Sequence, residues 1–250
     1  MSIASEITRL QGVKSNILDA IAAKGVSVPS GAKLADCPTL IASITGGGGE
    51  WTYLKETIGN KEYKAIKLKD GNIWLAQNLD YLWQGLEIGG TSAPSTPHCW
   101  YYNNDEVNYK KGGLMYNWYA AKYLSDNKDV LCPGWDVPSR QDFDNLINAY
   151  NVTKENFGSL AKAKAFSVDE NYPPISWAGY NAIGLNILPN GYKHYGDFYN
   201  FDIATAKWLK EEYDSGNGRR CSFPPNGGSF AYDLHAQKDE GYSIILIKRL

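Results

Sequence analysis

Apolar residues at Ile3, Ile7, Leu10, Ile17 and Ile21 recur at alternating steps of four and three, with Lys14 in the one missing place of the stripe. That spacing predicts a helix over residues 1–24, with Ser2 as N-cap and Gly25 as the stop after its last turn. The helix is too short to be read as a coiled coil from its pattern alone. After the break VSVPSG at 26–31, a second short helix is expected from Asp36, with Pro38 in its first turn and Leu40, Ile41 and Ile44 on one side. These 45 residues are too few to bury both faces, so they must pack on the rest of the chain, on sister copies or on another protein. Gly46-Gly47-Gly48-Gly49 then forms a flexible joint, placing a linker at 46–50 between a helical segment (1–45) and a larger domain (51–250).

Beyond the joint the period shortens. Residues 51–58 and 63–68 alternate as strands, and the turn Lys69-Asp70-Gly71-Asn72 leads into Ile73-Trp74-Leu75-Ala76 as a hairpin. Residues 112–124 read as a helix after a glycine start. Ser139 caps a second helix, RQDFDNLINAY, with Asp142 completing a capping box and Phe143, Leu146 and Ile147 facing inward. From Trp177 onward Gly, Asn and Pro divide the chain into short segments, and Tyr242–Ile247 is a continuous apolar stretch expected mid-sheet. Two helices among many short strands predict an α+β domain.

Charge adds an exclusion: 25 basic against 27 acidic residues in 250 give a net charge of −2, without the clustered positive charge of a nucleic-acid-binding chain. The pattern holds no apolar run of membrane-spanning length, so no membrane insertion is expected. Glu6 stands where a signal peptide would be apolar, and no basic leader precedes it, so no export is expected. Cys37, Cys99, Cys132 and Cys221 form no CxxC or Cys/His cluster; free thiols and no structural zinc are expected. Trp (8) and Tyr (18) together exceed Phe (7) by 26 to 7, which fits either loops plugged by aromatics or a recognition surface.

The residues 70–81 (DGNIWLAQNLDY), 113–121 (GLMYNWYAA), 131–139 (LCPGWDVPS), 187–192 (ILPNGY), 206–213 (AKWLKEEY) and 238–247 (KDEGYSIILI) resemble, in the same order, the blocks of the Fibrobacter succinogenes major paralogous domain. The resemblance covers about residues 66–249. It implies a C-type-lectin-like fold, with two helices against a small sheet and irregular loops that display ligand-binding residues. The family usually ends on a strand carrying Arg-Cys; here those positions read Ile245-Leu246. If the usual partner of Cys132 lies there, the resemblance implies that an apolar contact has replaced a disulfide, which suits folding in a reducing cytoplasm.

The first 45 residues are similar to segments that precede display domains in tailed-phage virion proteins. A lectin-like domain behind such a segment resembles the variable proteins of diversity-generating retroelements, whose last few dozen codons are mutagenised. The combined resemblance implies a tail-fibre tip that binds a host surface receptor, glycan or protein. Residues 1–45 would join other virion proteins or build a homo-oligomer, a trimer being favoured. A bacterial surface or secreted module, an enzyme and a purely structural virion part are the alternatives.

Within 207–237 the candidate ligand-binding residues are Leu209, Arg219, Arg220, Ser222, Pro224, Pro225, Tyr232, Asp233, Leu234 and His235. Adjacent Arg219 and Arg220 would point to opposite faces of a strand. Pro224-Pro225 would end it, and Tyr232 to His235 mix side-chain types without periodicity, as a binding loop would. Trp100 and Tyr102 are supporting aromatics, and Trp208 and Tyr213 are core or platform. Catalysis is not expected. No G-x-S-x-G elbow is present, His98, His194 and His235 are scattered, Glu211 and Glu212 would diverge, and Cys221 has no base signature. Asp197 and Asp202 fall short of the six to eight oxygens calcium takes, so no metal and no cofactor are implied.

Overall fold

The structure is a computed structural model, which describes residues 2–22, 28–37, 40, 51–89, 95–163, 179, 181–225 and 230–250. The Gly25 stop, the positions Pro38, Ile41 and Ile44, the Gly46–Gly49 joint and Trp177 lie outside the described residues. The chain divides into two compact units, Met1–Thr52 and Tyr53–Leu250.

The first unit is built on α1 (Ile3–Ala22). Ser2 caps it as expected, its Oγ accepting from the Ser5 amide at 3.1 Å. The last turns bury Ile21, with Ile17 and Leu18 beside it, against Val28, Ala32, Cys37 and Leu40. The same stripe is bare at its other end, where Ile3, Ile7, Leu10 and Val13 are exposed.

The second unit is α+β. In chain order it holds β1 (Leu54–Ile58), β2 (Lys61–Lys67), β3 (Ile73–Leu75), β4 (Glu87–Ile88), β5 (His98–Trp100), α2 (Glu106–Gly112), β6 (Met115–Tyr116), α3 (Trp118–Asp126), α4 (Lys128–Leu131), α5 (Arg140–Tyr150) and α6 (Lys154–Ala161). There follow β7 (Asn190–His194), β8 (Asp197–Phe201), β9 (Thr205–Glu212), β10 (Asn217–Phe223), β11 (Ala231–Gln237) and β12 (Ile247–Lys248). Among the described residues the strands form sheets of order β1-β2-β3-β12, β4-β5-β6 and β11-β10-β9-β7-β8. Trp74, Trp135, Trp208, Tyr63 and Tyr116 are almost wholly buried, so much of the aromatic excess is core.

The β2–β3 hairpin and the Ser139 cap with its Asp142 capping box stand where expected, and Phe143, Leu146 and Ile147 are buried. Other boundaries move. The helix expected over 112–124 begins only at Trp118, because Asn117 caps it by accepting from the Ala120 amide, while Met115–Tyr116 pairs with β5. Helices α2, α4 and α6 are additional. Residues 242–247 are buried but are not one strand: single bridges join Tyr242 to Tyr116 and Ser243 to Lys207, and only Ile247–Lys248 pairs as β12, on β3. Cys132 and Leu246 lie in the same buried cluster, and all four cysteines are buried free thiols.

Candidate functional site

The five-stranded sheet builds the site. β9 runs through the core with Thr205 to Leu209 all buried, and β10 lies antiparallel to it with Cys221 and Phe223 turned inward. Only glycine fits at 218, since a Cβ there would stand 2.1 Å from the Trp118 ring. β7 pairs parallel to β9 and forms a hairpin with β8 through Tyr195-Gly196. Gly191, at φ +68°, lets that hairpin close: a Cβ would lie 2.4 Å from the Tyr199 carbonyl oxygen.

Between the hairpin and the end of β10 lies an open pocket of about 270 Å³. Tyr192, His194, Asn200 and Ala204 line one side, Arg220, Ser222, Pro224 and Pro225 the other, with Tyr242 between them. The Arg220 guanidinium carbon sits 5.1 Å from the centre of the Tyr242 ring. Its Nε is buried without a hydrogen-bond partner, and among the described residues no carboxylate pairs with the group. Tyr242 is fixed from beneath. Its ring meets Trp208 at 4.8 Å, edge to face, and its hydroxyl donates to Glu240 Oε2 at 2.7 Å. Burial holds that phenol well above its usual pKa. The other carboxylate oxygen of Glu240 lies 2.5 Å from His194 Nδ1. Tyr192 stacks obliquely on Tyr242 at 5.7 Å and accepts from the Asn200 amide at 2.8 Å.

The opposite face of β10 carries a second feature. Arg219 lies 5.0 Å over Tyr213, which stacks on His235 at 4.3 Å and 14°. Arg219 and Arg220 therefore diverge as strand geometry requires.

Two buried lysines hold the scaffold. Lys207 donates to Thr205 Oγ1 at 2.8 Å and Ser243 Oγ at 2.6 Å, and burial pulls its amine down to about 7. Lys162, likewise lowered by burial to about 8, donates to the carbonyls of Pro224 and Pro225. Beside Lys207 in register is Cys221, whose thiol burial pushes up to about 12. At neutral pH that thiol is protonated and enclosed, and a poor nucleophile.

Of the candidate residues, the structure gathers Arg220, Ser222, Pro224 and Pro225 into the pocket and sets Arg219 and His235 on the other face. Four others turn inward. Leu209 is fully buried because β9 is covered on both faces. Trp208 is core, its Nε1 donating to the Tyr116 carbonyl at 2.7 Å. Trp100 is buried with the Lys193 ammonium 4.6 Å from its ring. Tyr232 is buried against Phe230 and hydrogen-bonded to Asp144, because 231–237 is a strand, β11, with an inward side, and not a loop. Leu234 is half-buried opposite Arg220, and the Asp233 side chain lies outside the described residues. Tyr102 braces the hairpin from behind, 4.5 Å from Phe201 and 5.5 Å from Phe198.

Tyr213, read as core or platform, is 46% exposed. Glu211 accepts from the Arg140 amide while Glu212 pairs with Lys238, so the two carboxylates diverge. Among the described residues no three His, Cys, Asp or Glu side chains gather as a metal site, and no helix is long and apolar enough to cross a membrane.

The pocket residues not anticipated from sequence are Tyr192, His194, Asn200, Ala204 and Tyr242. For Tyr192, His194 and Asn200 the signal was the hairpin NGYKHYGDFYNF, whose Tyr192 and Tyr199 face each other in register; Ala204 and Tyr242 lie outside it.

Comparison with curated proteins and with solved structures finds no match. The model of the Fibrobacter succinogenes major domain matches residues 68–248, which takes in all six helical and strand blocks of the resemblance and the whole pocket, and the chain belongs to that family.

Proposed function

We propose that the chain is a receptor-recognition protein of a phage virion, in which residues 53–250 form a C-type-lectin-like module that grips a bacterial surface receptor. The observation that carries this reading is the pocket at the end of β10. An arginine whose Nε has no hydrogen-bond partner, the partly exposed Tyr192 ring and small polar groups converge on one sheet, a combination suited to contact recognition. Burial of the thiols argues against covalent chemistry at Cys221. The first unit supplies valency in this reading. The exposed end of the stripe, Ile3, Ile7 and Leu10 with Val13, is left for sister copies, because Ile17 and Ile21 are already covered within one copy. A trimer would raise the avidity of individually weak sites.

The test is retention of the labelled full chain on a panel of bacterial cell envelopes. The expected result is retention by a subset of envelopes, displaced by unlabelled chain. Retention by none, or retention that unlabelled chain does not displace, overturns the reading.

A further inference from the structure

Two pocket residues carry a buried nitrogen without a hydrogen-bond partner, Arg220 at Nε and His194 at Nδ1, and of the two Arg220 bears the fixed charge. Arginine offers five donors in a planar fork that matches a carboxylate. Here the group is held over Tyr242, its Nε is removed from water, and among the described residues nothing accepts from it. A buried donor without a partner costs stability, so its persistence at a pocket wall points to an acceptor brought by a ligand. The Glu240 carboxylate does not fill that place: it is buried, accepts from the Tyr242 hydroxyl and lies against His194 Nδ1.

The remaining walls narrow the ligand further. Tyr192 offers partly exposed ring surface, Tyr242, only 3% exposed, backs the pocket wall, and Asn200 and Ser222 offer an amide and a hydroxyl. At about 270 Å³ the space falls just below the roughly 300–1,000 Å³ of drug-sized sites, which suits one ring with its substituents. A hydroxyl-rich ring with one C–H-lined face and an acid group uses all of these features. An acidic peptide side chain would use the arginine and leave the Tyr192 face, Asn200 and Ser222 unoccupied.

We propose that this pocket binds a single carboxylate-bearing saccharide unit, with Arg220 gripping the carboxylate and Tyr192 holding the sugar ring. The proposal rests on the reading of this unit as a recognition module and names the chemistry it recognises.

The experiment measures binding of the full chain to immobilised oligosaccharides ending in glucuronic acid or N-acetylneuraminic acid. Their carboxyl-reduced neutral counterparts and an oligoglutamate peptide are measured alongside. The expected result is retention on at least one acidic terminus, reduced about tenfold or more by carboxyl reduction. Arg220→Lys, which keeps the charge but not the fork, should lose about as much at an unchanged melting temperature. Equal binding of acidic and reduced sugars, preference for oligoglutamate, an unaffected Arg220→Lys variant, or no saccharide binding by a chain that cell envelopes retain would each overturn the acidic-sugar assignment alone. No retention on any saccharide, peptide or envelope would overturn the recognition reading with it.

Discussion

The amine of Lys162, fully buried just past the end of α6, donates to the carbonyl of Pro224 at 2.6 Å and so ties a helix terminus to the wall of the pocket. Pro225 shares the contact at 3.3 Å. The two prolines cannot continue the ladder of β10, and Lys162 holds the chain where that ladder ends. Lys162→Met keeps the apolar stem and removes the tether. Two effects offset each other in stability: an orphaned carbonyl is unfavourable, and losing a buried amine is favourable. We predict a stability change within about 1 kcal/mol, with ligand or envelope binding weakened by about three- to tenfold through disorder of the wall. Urea melts paired with binding titrations check it.

Lys207 gives the sheet a pH signature. Its amine titrates near 7 in the folded chain against about 10.5 when unfolded. The folded state therefore binds fewer protons between these values, and its stability rises with pH across that window. Relative to Lys207→Met, the wild type should be at its weakest below pH 7. From there it should gain at most about 1.4 kcal/mol per pH unit until the unfolded amine also deprotonates. Urea denaturation of both proteins at pH 6, 8 and 9 measures the difference, and a difference independent of pH would contradict it.

The C-terminus is clasped by Arg249, which donates to Asp142 at 2.7 and 3.0 Å and to Asp136 at 2.9 Å. Burial alone would raise both carboxyl pKa values. Hydrogen bonds from Arg249, with Ser125 at Asp136 and Ser139 at Asp142, outweigh it and hold both below the usual range. Arg249→Ala should cost about 1–3 kcal/mol near neutral pH, less than a fully buried pair because the arginine side chain is 38% exposed. The carboxylates' contribution is present above their unfolded pKa of about 4 and fades as pH falls through the depressed folded values. Acid titration of the two melting temperatures should show the gap narrowing below pH 4.

The bare end of α1 makes a prediction about assembly. Ile7 and Leu10 are 51% and 44% exposed in a single copy, so charging them leaves that copy's fold intact. Light scattering on the full chain should give a trimer, and the double variant Ile7→Asp/Leu10→Asp a monomer with an unchanged far-ultraviolet spectrum. A monomeric wild type would remove the valency part of the account.

Local signals were legible in the sequence where neighbours in the chain decide the structure. The α1 stripe with its Ser2 cap, the Asp142 capping box and the β2–β3 turn are all short-range, and each appears as expected. Misread segments were those where a distant partner decides. Tyr232 to His235 carries no clear alternation, yet pairing with β10 makes it a strand and drives Tyr232 inward onto Phe230 and Asp144. Residues 242–247 read as a strand from their apolar run, but they cross between sheets as single bridges. Half of the pocket was legible because Arg220, Ser222, Pro224 and Pro225 are nearly consecutive. The other half comes from a hairpin some twenty residues upstream and from Tyr242, brought together by the parallel pairing of β7 with β9 and by the bridge between Lys193 and Gly241.

The central claim, that the pocket at the end of β10 is the recognition site, is tested most directly by comparing wild type and Arg220→Ser for retention on the same cell envelopes. Both are used as full chains of matched melting temperature and oligomeric state. The account predicts that wild type is retained and the variant loses at least about tenfold in half-saturation concentration. Equal retention of the two proteins would contradict it and move recognition to another surface.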